Sequence, residues 1–458
     1  MSDYRTENPA TGEVENTWTT LTDEQAQGAL DTAHKAFASW RDEPLETRVA
    51  VLSKTAQAFK DQAKELAEIA AREMGKPLNQ GVEEAELCAQ IFAYYADNAE
   101  DLLAPTDLGP QGARSSVVEL EPVGALVGVM PWNFPYYQVA RFVAPNLLLG
   151  NTILLKPAEI CAASAERIES MLREAGLPQG VYQTIHATNQ QIADLVADPR
   201  VAGVSLTGSE RAGSAVAEGA GRNLTKSLLE LGGSDPFIVL GGNIAKTAET
   251  AGFARMENAG QACNAPKRMI VLEEHYDEFV EGLVSYVSGL KVGNPLEDGT
   301  DMGPLSSVDA RDRLVELLED AREKGATFHT GGTVVDGPGA FIEPAVITGI
   351  TREMRAFEEE LFGPVAVVYK VGSVEEAIEL ANDTPFGLSG SVWSDDLEKA
   401  EATARRIEAG MVYVNEHGTT AAGLPFGGVK RSGYGRELAE NGLHEFVNHR
   451  LVRVSDAL

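Results

Sequence analysis

The chain has 458 residues, 43% hydrophobic and 7% aromatic, which excludes a disordered polymer and allows two or three packed units. Asp and Glu number 69 against 38 Lys and Arg, a net charge of -31, which argues against nucleic acid as a partner. No apolar run reaches the roughly 18 residues needed to cross a bilayer, and the opening MSDYRTENPATGEVENTW lacks the basic start and apolar core of a secretion signal. A soluble, cytoplasmic protein without a membrane partner is expected.

In chain order, Thr22 with Gln25 forms a capping-box pattern, followed by Ala26, Leu30, Ala33, Phe37 and Trp40 at helical steps. A second helix is predicted from about Glu46 to Met74, stopped by Gly75 and Pro77, and a third over Gln80–Leu103. The N-terminal part therefore reads as helical. Around Val139–Leu149 an apolar run carries Arg141, Pro145 and Asn146.

Beyond residue 115 short apolar runs alternate with helical patterns. Ala125–Met130, Thr152–Lys156, Val181–His186, Val201–Leu206 and Ser227–Leu231 read as strands, with helices over Ser164–Ala175, Asn189–Ala197 and Glu210–Gly221. After Gly232–Gly233 the alternation resumes. Strands are predicted at Pro236–Leu240, Arg268–Glu273, Ala345–Ile350, Val365–Val371 and Met411–Asn415. Helices are predicted at Ile244–Gly260, Tyr276–Leu290, Asp309–Gly325 and Val374–Asn382. The pattern is that of an α/β protein with two open, mostly parallel sheets flanked by helices.

The 38 cations divide into 14 Lys and 24 Arg, and the acids are scattered through the helices. Diffuse acidity with scarce lysine points to a halophilic chain adapted to high salt, where screening suppresses self-repulsion. The alternative is an ordinary acidic protein with well-solvated helix faces.

Several chemistries have no motif here: there is no GxSxG elbow, no GxGxxG fingerprint and no Walker loop. His444 and His449 miss the HExxH spacing by one residue, so no metal site is expected. Cys88, Cys161 and Cys263 show no disulfide pattern. Cys88 and Cys161 read as structural. Cys263 lies in a Gly- and Pro-punctuated loop, suited either to a nucleophile or to a small buried hydrophobe.

Other candidates sit at strand ends. Glu230 precedes Gly232–Gly233, suiting either a ligand crevice or a solvated turn. In Pro131-Trp132-Asn133-Phe134-Pro135 two prolines fix the backbone around an amide donor, or simply anchor a loop. Lys156-Pro157-Ala158-Glu159 follows a third strand. Thr207-Gly208-Ser209 follows a fourth and opens a helix whose N–H groups suit a phosphate.

Taken in order, PWNFP, KPAE, TGS, ELGG, the GQxC around Cys263, ELFGPV at 360–365 and PFGGVKRSG at 425–433 resemble the aldehyde dehydrogenase superfamily over nearly the whole chain. ELGGSDPFIVL at 230–240 and GRELAENGLHEF at 435–446 are most similar to its NAD-dependent succinate-semialdehyde dehydrogenases. The resemblance implies Cys263 as nucleophile, Asn133 and the Cys263 N–H as an oxyanion hole, and Glu230 as the base for thioester hydrolysis. It implies Lys156 and Glu159 at the adenosine ribose, Gly208 and Ser209 at the pyrophosphate, and Glu360 and Phe362 at the nicotinamide ribose. It also implies Trp132 at the nicotinamide end and Leu231 among the cofactor contacts. A carboxylate at Glu159 repels a 2′-phosphate, so NAD is expected in preference to NADP.

Relatives that act on succinate semialdehyde often carry an arginine eight residues after the Asn, here Arg141, able to pair with the substrate's remote carboxylate or, alternatively, with a protein acid. Their second carboxylate-binding Arg is replaced by Glu257, and Ala187-Thr188-Asn189-Gln190 lacks the glycine-rich turn near the adenine. The implied architecture is a cofactor domain over 1–103 and 123–231, with a catalytic domain over 232–445. A β oligomerisation extension over 104–122 and 446–458 implies a homodimer or homotetramer. The expected reaction is oxidation of an aldehyde, succinate semialdehyde first and another small aldehyde second. The alternative from a different class is a cysteine ester or thioester hydrolase.

Overall fold

The structure, a computed structural model, describes residues 4–456; residues 1–3 and 457–458, at the outer ends of the expected first and last segments, lie outside the described residues. The chain opens on a hairpin, not a helix: Tyr4–Glu7 pairs antiparallel with Val14–Trp18. Asn8 Oδ1 accepts the Ala10 N–H at 3.0 Å and Gly12 turns at φ 75°, a local turn chemistry that helical periodicity does not report. Thr22 then caps the helix Asp23–Trp40, with both reciprocal bonds to Gln25 present at 2.8 and 3.2 Å.

The long expected helices break at two polar residues, Gln62 and Asn98. The stripe expected over 46–74 divides into Leu45–Asp61 and Ala63–Met74 at Gln62, whose side-chain amide is drawn to Arg167. The one expected over 80–103 divides into Leu78–Asp97 and Ala99–Leu102, because Asn98 Nδ2 donates to the Tyr94 carbonyl at 2.8 Å. Gly75 ends the second helix in the left-handed region at φ 84°.

Two α/β sheets follow. The six-stranded sheet runs Gly433–Tyr434, Lys226–Glu230, Val201–Thr207, Ala125–Val129, Thr152–Lys156, Tyr182–Thr184, parallel except for its first member. That first strand arrives from the stretch expected to belong to the second unit. The seven-stranded sheet runs Thr327–Thr330, Ala345–Thr348, Val365–Val371, Pro266–Leu272, Asp235–Val239, Ser389–Trp393, Met411–Val414, parallel except for Thr327–Thr330. Ser389–Trp393 and the helix Leu397–Ala404 were not expected, since Ser-Gly-Ser reads as loop. The strand is nonetheless buried and tied in by the Ser389 N–H and hydroxyl on the Asp235 carboxylate. Val447–Val454, Ser115–Pro122 and Thr106–Asp107 make a separate antiparallel sheet.

Parallel register places the C-terminal ends of the first sheet side by side. Val129 pairs with Lys156 and Leu206, and Thr207 with Glu230, so the loops carrying PWNFP, KPAE, TGS and ELGG leave one edge together. The helix Tyr137–Leu149 is buried on every side and includes Pro145. The helix expected over Ile244–Gly260 stops at Met256, and Asn258 and Ala259 turn left-handed at φ 50° and 54°. The chain is thereby thrown toward the Cys263 loop.

Candidate active site

The Cys263 loop is held from three sides. Arg255, fully buried, donates to the carbonyls of Gly260, Leu361, Gly363 and Val365 at 2.6 to 3.1 Å. This pins the turn before Cys263 to the ELFGPV segment. Asn133 Nδ2 donates to the Gln261 carbonyl at 2.9 Å, and Asn258 Nδ2 returns to the Asn133 carbonyl at 2.8 Å. One N–H of the Asn133 amide remains uncommitted. The loop bearing Asn133 is in turn fixed by Glu84, which accepts the Tyr136 and Tyr137 N–H groups at 2.9 Å. Lys76, paired with Glu84, sits 3.7 Å over the Phe134 ring.

A cleft of about 270 Å³ is lined by Trp132, Asn133, Gly208, Ser209, Leu231, Cys263, Glu360 and Phe362, together with Pro131, Gln138, Thr207 and Gly232. The structure thus brings together most of the residues singled out in the sequence. Trp132 and Phe362 meet edge to face at 5.7 Å. A second groove of about 290 Å³ is walled by Val129, Ile192, Leu206 and Val216, with Lys156, Asn189 and Arg211 as its polar members. Glu159 lies beside it, joined to Lys156 at 2.9 Å. Ser209 caps the helix Glu210–Asn223, accepting from Ala212 N–H at 3.3 Å. An apolar slot, a helix N-terminus and an aromatic cleft in sequence fit an adenine, a pyrophosphate and a nicotinamide.

Burial pushes the Cys263 thiol up to about 12, against the pull of Arg141 and Lys267, so the resting group is a neutral thiol. Glu230 lies behind the cleft wall, fully enclosed, and burial raises its carboxyl well above the ordinary carboxylate range although Arg141 opposes this. Neither Glu230 oxygen has a hydrogen-bond partner among the described residues. A Cβ at Gly427 would stand 2.7 Å from Glu230 Oε1, and Gly427 has φ 149°.

Of the two partners considered for Arg141, the structure shows the protein acid. Arg141 is fully buried and does not line the cleft. Its guanidinium pairs with Glu437 and donates to Tyr137 Oη at 3.2 Å and Thr207 Oγ1 at 3.1 Å, between the Phe426 and Tyr137 rings at 4.6 and 5.0 Å. In the structure this guanidinium therefore faces a protein acid across an ion pair, and not the cleft described above. Glu257 is absent from the cleft lining as well; its charged neighbours are Lys76, Glu83 and Glu84, and burial raises its carboxyl. Cys88 and Cys161 are buried, and among the described residues no His, Cys, Asp and Glu cluster suits a metal.

Sequence reasoning missed Arg255, Asn258, Lys267 and Gln138. The available signal was Lys267-Arg268 entering an otherwise apolar strand, since a cation there must be enclosed and partnered.

The aldehyde dehydrogenase family model matches residues 2–452. A protein of Deinococcus radiodurans named succinate-semialdehyde dehydrogenase (NADP+) is 46% identical over 452 residues, covering 98% of this chain and 94% of its own. One of the same name from Mycobacterium avium is 42% identical, covering 98% and 96%. The crystal structure of succinic semialdehyde dehydrogenase from Streptococcus pyogenes with NADP+ superposes with a TM-score of 0.97 at 41% identity, covering 99% of this chain and 100% of the other.

Proposed function

The chain belongs to the aldehyde dehydrogenase family and is an oxidoreductase; from that premise we propose that it oxidises succinate semialdehyde to the diacid through a cysteine-bound intermediate. The observation that carries the chemistry is Cys263 in one cleft with the Asn133 amide, bounded by Glu360 and Phe362. The substrate follows from the names of the relatives at 41 to 46% identity.

The reaction begins when the Cys263 thiol gives its proton to solvent and its sulfur attacks the aldehyde carbon. The uncommitted Asn133 N–H and the Cys263 N–H would meet the developing oxyanion. A nicotinamide dinucleotide, which Lys156 and Glu159 would hold at the ribose, Gly208 and Ser209 at the pyrophosphate and Glu360 at the far ribose, would supply the acceptor for the hydride lost by the former aldehyde carbon. Glu230, with both oxygens free, takes a proton from water as the cysteine thioester is hydrolysed, and the carboxylic acid leaves. The raised carboxyl of Glu230 makes this step slower as pH falls.

NAD is proposed as the cofactor because Glu159 offers an acceptor for a 2′-hydroxyl. A second reading, NADP, is favoured by the relatives' names, by the neutralising Lys156–Glu159 pair and by Arg211 on the groove wall. A homodimer or homotetramer is proposed through the antiparallel sheet, whose edge strand Val447–Val454 exposes Leu451 and Val454. Adaptation to a high-salt cytoplasm is proposed from the -31 charge.

The test is absorbance of the reduced cofactor, in dilute buffer and in molar KCl, with NAD or NADP and with succinate semialdehyde or butanal. Turnover of succinate semialdehyde with NAD, enhanced by salt, is expected. Equal turnover of butanal would overturn the substrate, NADP preference would overturn the Glu159 argument, and full activity without salt would overturn the halophilic reading.

A further inference from the structure

Lys267 is one of the largest enclosed side chains, 2% exposed at the start of the strand Pro266–Leu272. Its Nζ donates to the Ala262 carbonyl at 2.9 Å and the Cys263 carbonyl at 2.8 Å, and pairs with Glu360 Oε1 at 3.0 Å. An ammonium has three N–H donors, so all are used. The same Glu360 oxygen accepts the Gly233 N–H at 3.1 Å, which leaves Oε2 as the oxygen available to a ligand. The ELGG turn packs against this assembly so closely that a Cβ at Gly233 would stand 2.3 Å from the Cys263 carbonyl oxygen.

The Ala262 carbonyl and the Cys263 N–H belong to one peptide unit, which is planar. A cation on that carbonyl fixes the direction of the N–H at the other end and polarises it toward stronger donation. The same cation holds the carboxylate expected at the nicotinamide ribose. We propose that Lys267 is a positioning residue that aims the Cys263 N–H as an oxyanion donor and couples it, through Glu360, to the cofactor cleft. This rests on the cysteine chemistry proposed above, but not on the identity of the aldehyde. Lys267 also opposes the burial that raises the Cys263 thiol, so its removal shifts thiolate formation to higher pH.

The test uses the full chain with Lys267→Met, Lys267→Gln and Lys267→Arg. Acylation by 4-nitrophenyl acetate needs neither aldehyde nor cofactor and reads the oxyanion hole. Iodoacetamide labelling of Cys263 between pH 6 and 10 reads the thiolate, and the dinucleotide KM reads Glu360. Loss of a charged hydrogen bond predicts that Lys267→Met acylates about 10- to 100-fold more slowly, labels at higher pH and raises the dinucleotide KM. Lys267→Arg recovers most of each, and Lys267→Gln lies between; if the Met variant does not fold, the Gln variant decides by the same measures. Wild-type acylation rate, labelling profile and KM in either neutral variant, with only a lower melting temperature, would overturn the proposal. Inactivity of the wild type on succinate semialdehyde would remove that substrate and leave this result standing, whereas acylation that bypasses Cys263 would remove both.

Discussion

Replacing Arg141 by Met separates a residue inside the protein from one that binds substrate. The substitution keeps much of the apolar volume between Tyr137 and Phe426 and deletes the guanidinium. Glu437, 3% exposed at its side chain, is left without its cation. Breaking a buried pair in this way costs about 3–5 kcal/mol. The carboxyl has an escape: it can take up a proton. Neutralising a carboxyl of ordinary pKa, about 4.3, costs about 3.7 kcal/mol at pH 7 and about 1 kcal/mol at pH 5, which sets a ceiling on the loss. Burial already holds the Glu437 carboxyl above its ordinary range with Arg141 in place, so the expected destabilisation is at most about 3.7 kcal/mol at pH 7, shrinking to at most about 1 kcal/mol at pH 5. Adding Glu437→Gln recovers most of the loss at pH 7. Urea midpoints of the four members of this cycle, at both pH values, measure it. Turnover by the folded variant falls by one common factor for succinate semialdehyde and butanal, because Arg141 also draws down the Glu230 carboxyl that serves every aldehyde. Unchanged stability at pH 7, or selective loss of the carboxylate-bearing aldehyde, would refute the assignment of Arg141 to the interior.

Two further outcomes are expected. Gly427→Ala places a methyl 2.7 Å from Glu230 Oε1 at a φ of 149° and displaces the carboxyl. Hydrolysis of the acyl-enzyme then slows at least about tenfold, seen as a burst of reduced cofactor followed by a slow steady rate; an unaltered steady rate in folded enzyme would contradict the role of Glu230. Glu73, buried against Ser164 and Thr6, is pushed up to about 7 by burial, so the folded state holds its proton more tightly than the unfolded chain does. That contribution is complete below about pH 4.5 and is lost as pH rises through 7, about 3 kcal/mol in all. Glu73→Gln lacks it, so its stability relative to wild type should improve from pH 5 to pH 8; a parallel or worsening trend in melting temperature would reject the buried titration.

The alternating strands and helices, and the strand-end segments bearing Asn133, Lys156, Ser209 and Glu230, were legible because they follow from short-range rules, whereas Cys263 and Glu360 were singled out through the family resemblance of their motifs. Apolar periodicity marks which side of an element is buried, and punctuation by Gly and Pro marks where loops begin. Parallel pairing then makes the clustering of those loops at one edge nearly obligatory. The hairpin at Tyr4–Trp18, the breaks at Gln62 and Asn98 and the strand Ser389–Trp393 were not legible, because each is decided by a side chain or partner strand distant in the chain or by a local hydrogen bond that periodicity does not encode.

The site divides in the same way. The resemblance carried by the ordered motifs pointed to a cysteine, an amide and a carboxylate beside a dinucleotide groove. Only the tertiary structure decided what each charged group faces. Arg141 and Glu437 are 296 positions apart, and Lys267 reaches Glu360 across 93. Whether a buried cation meets a protein acid or an open cleft depends on the angle between two packed elements, and no local pattern in either one contains that angle.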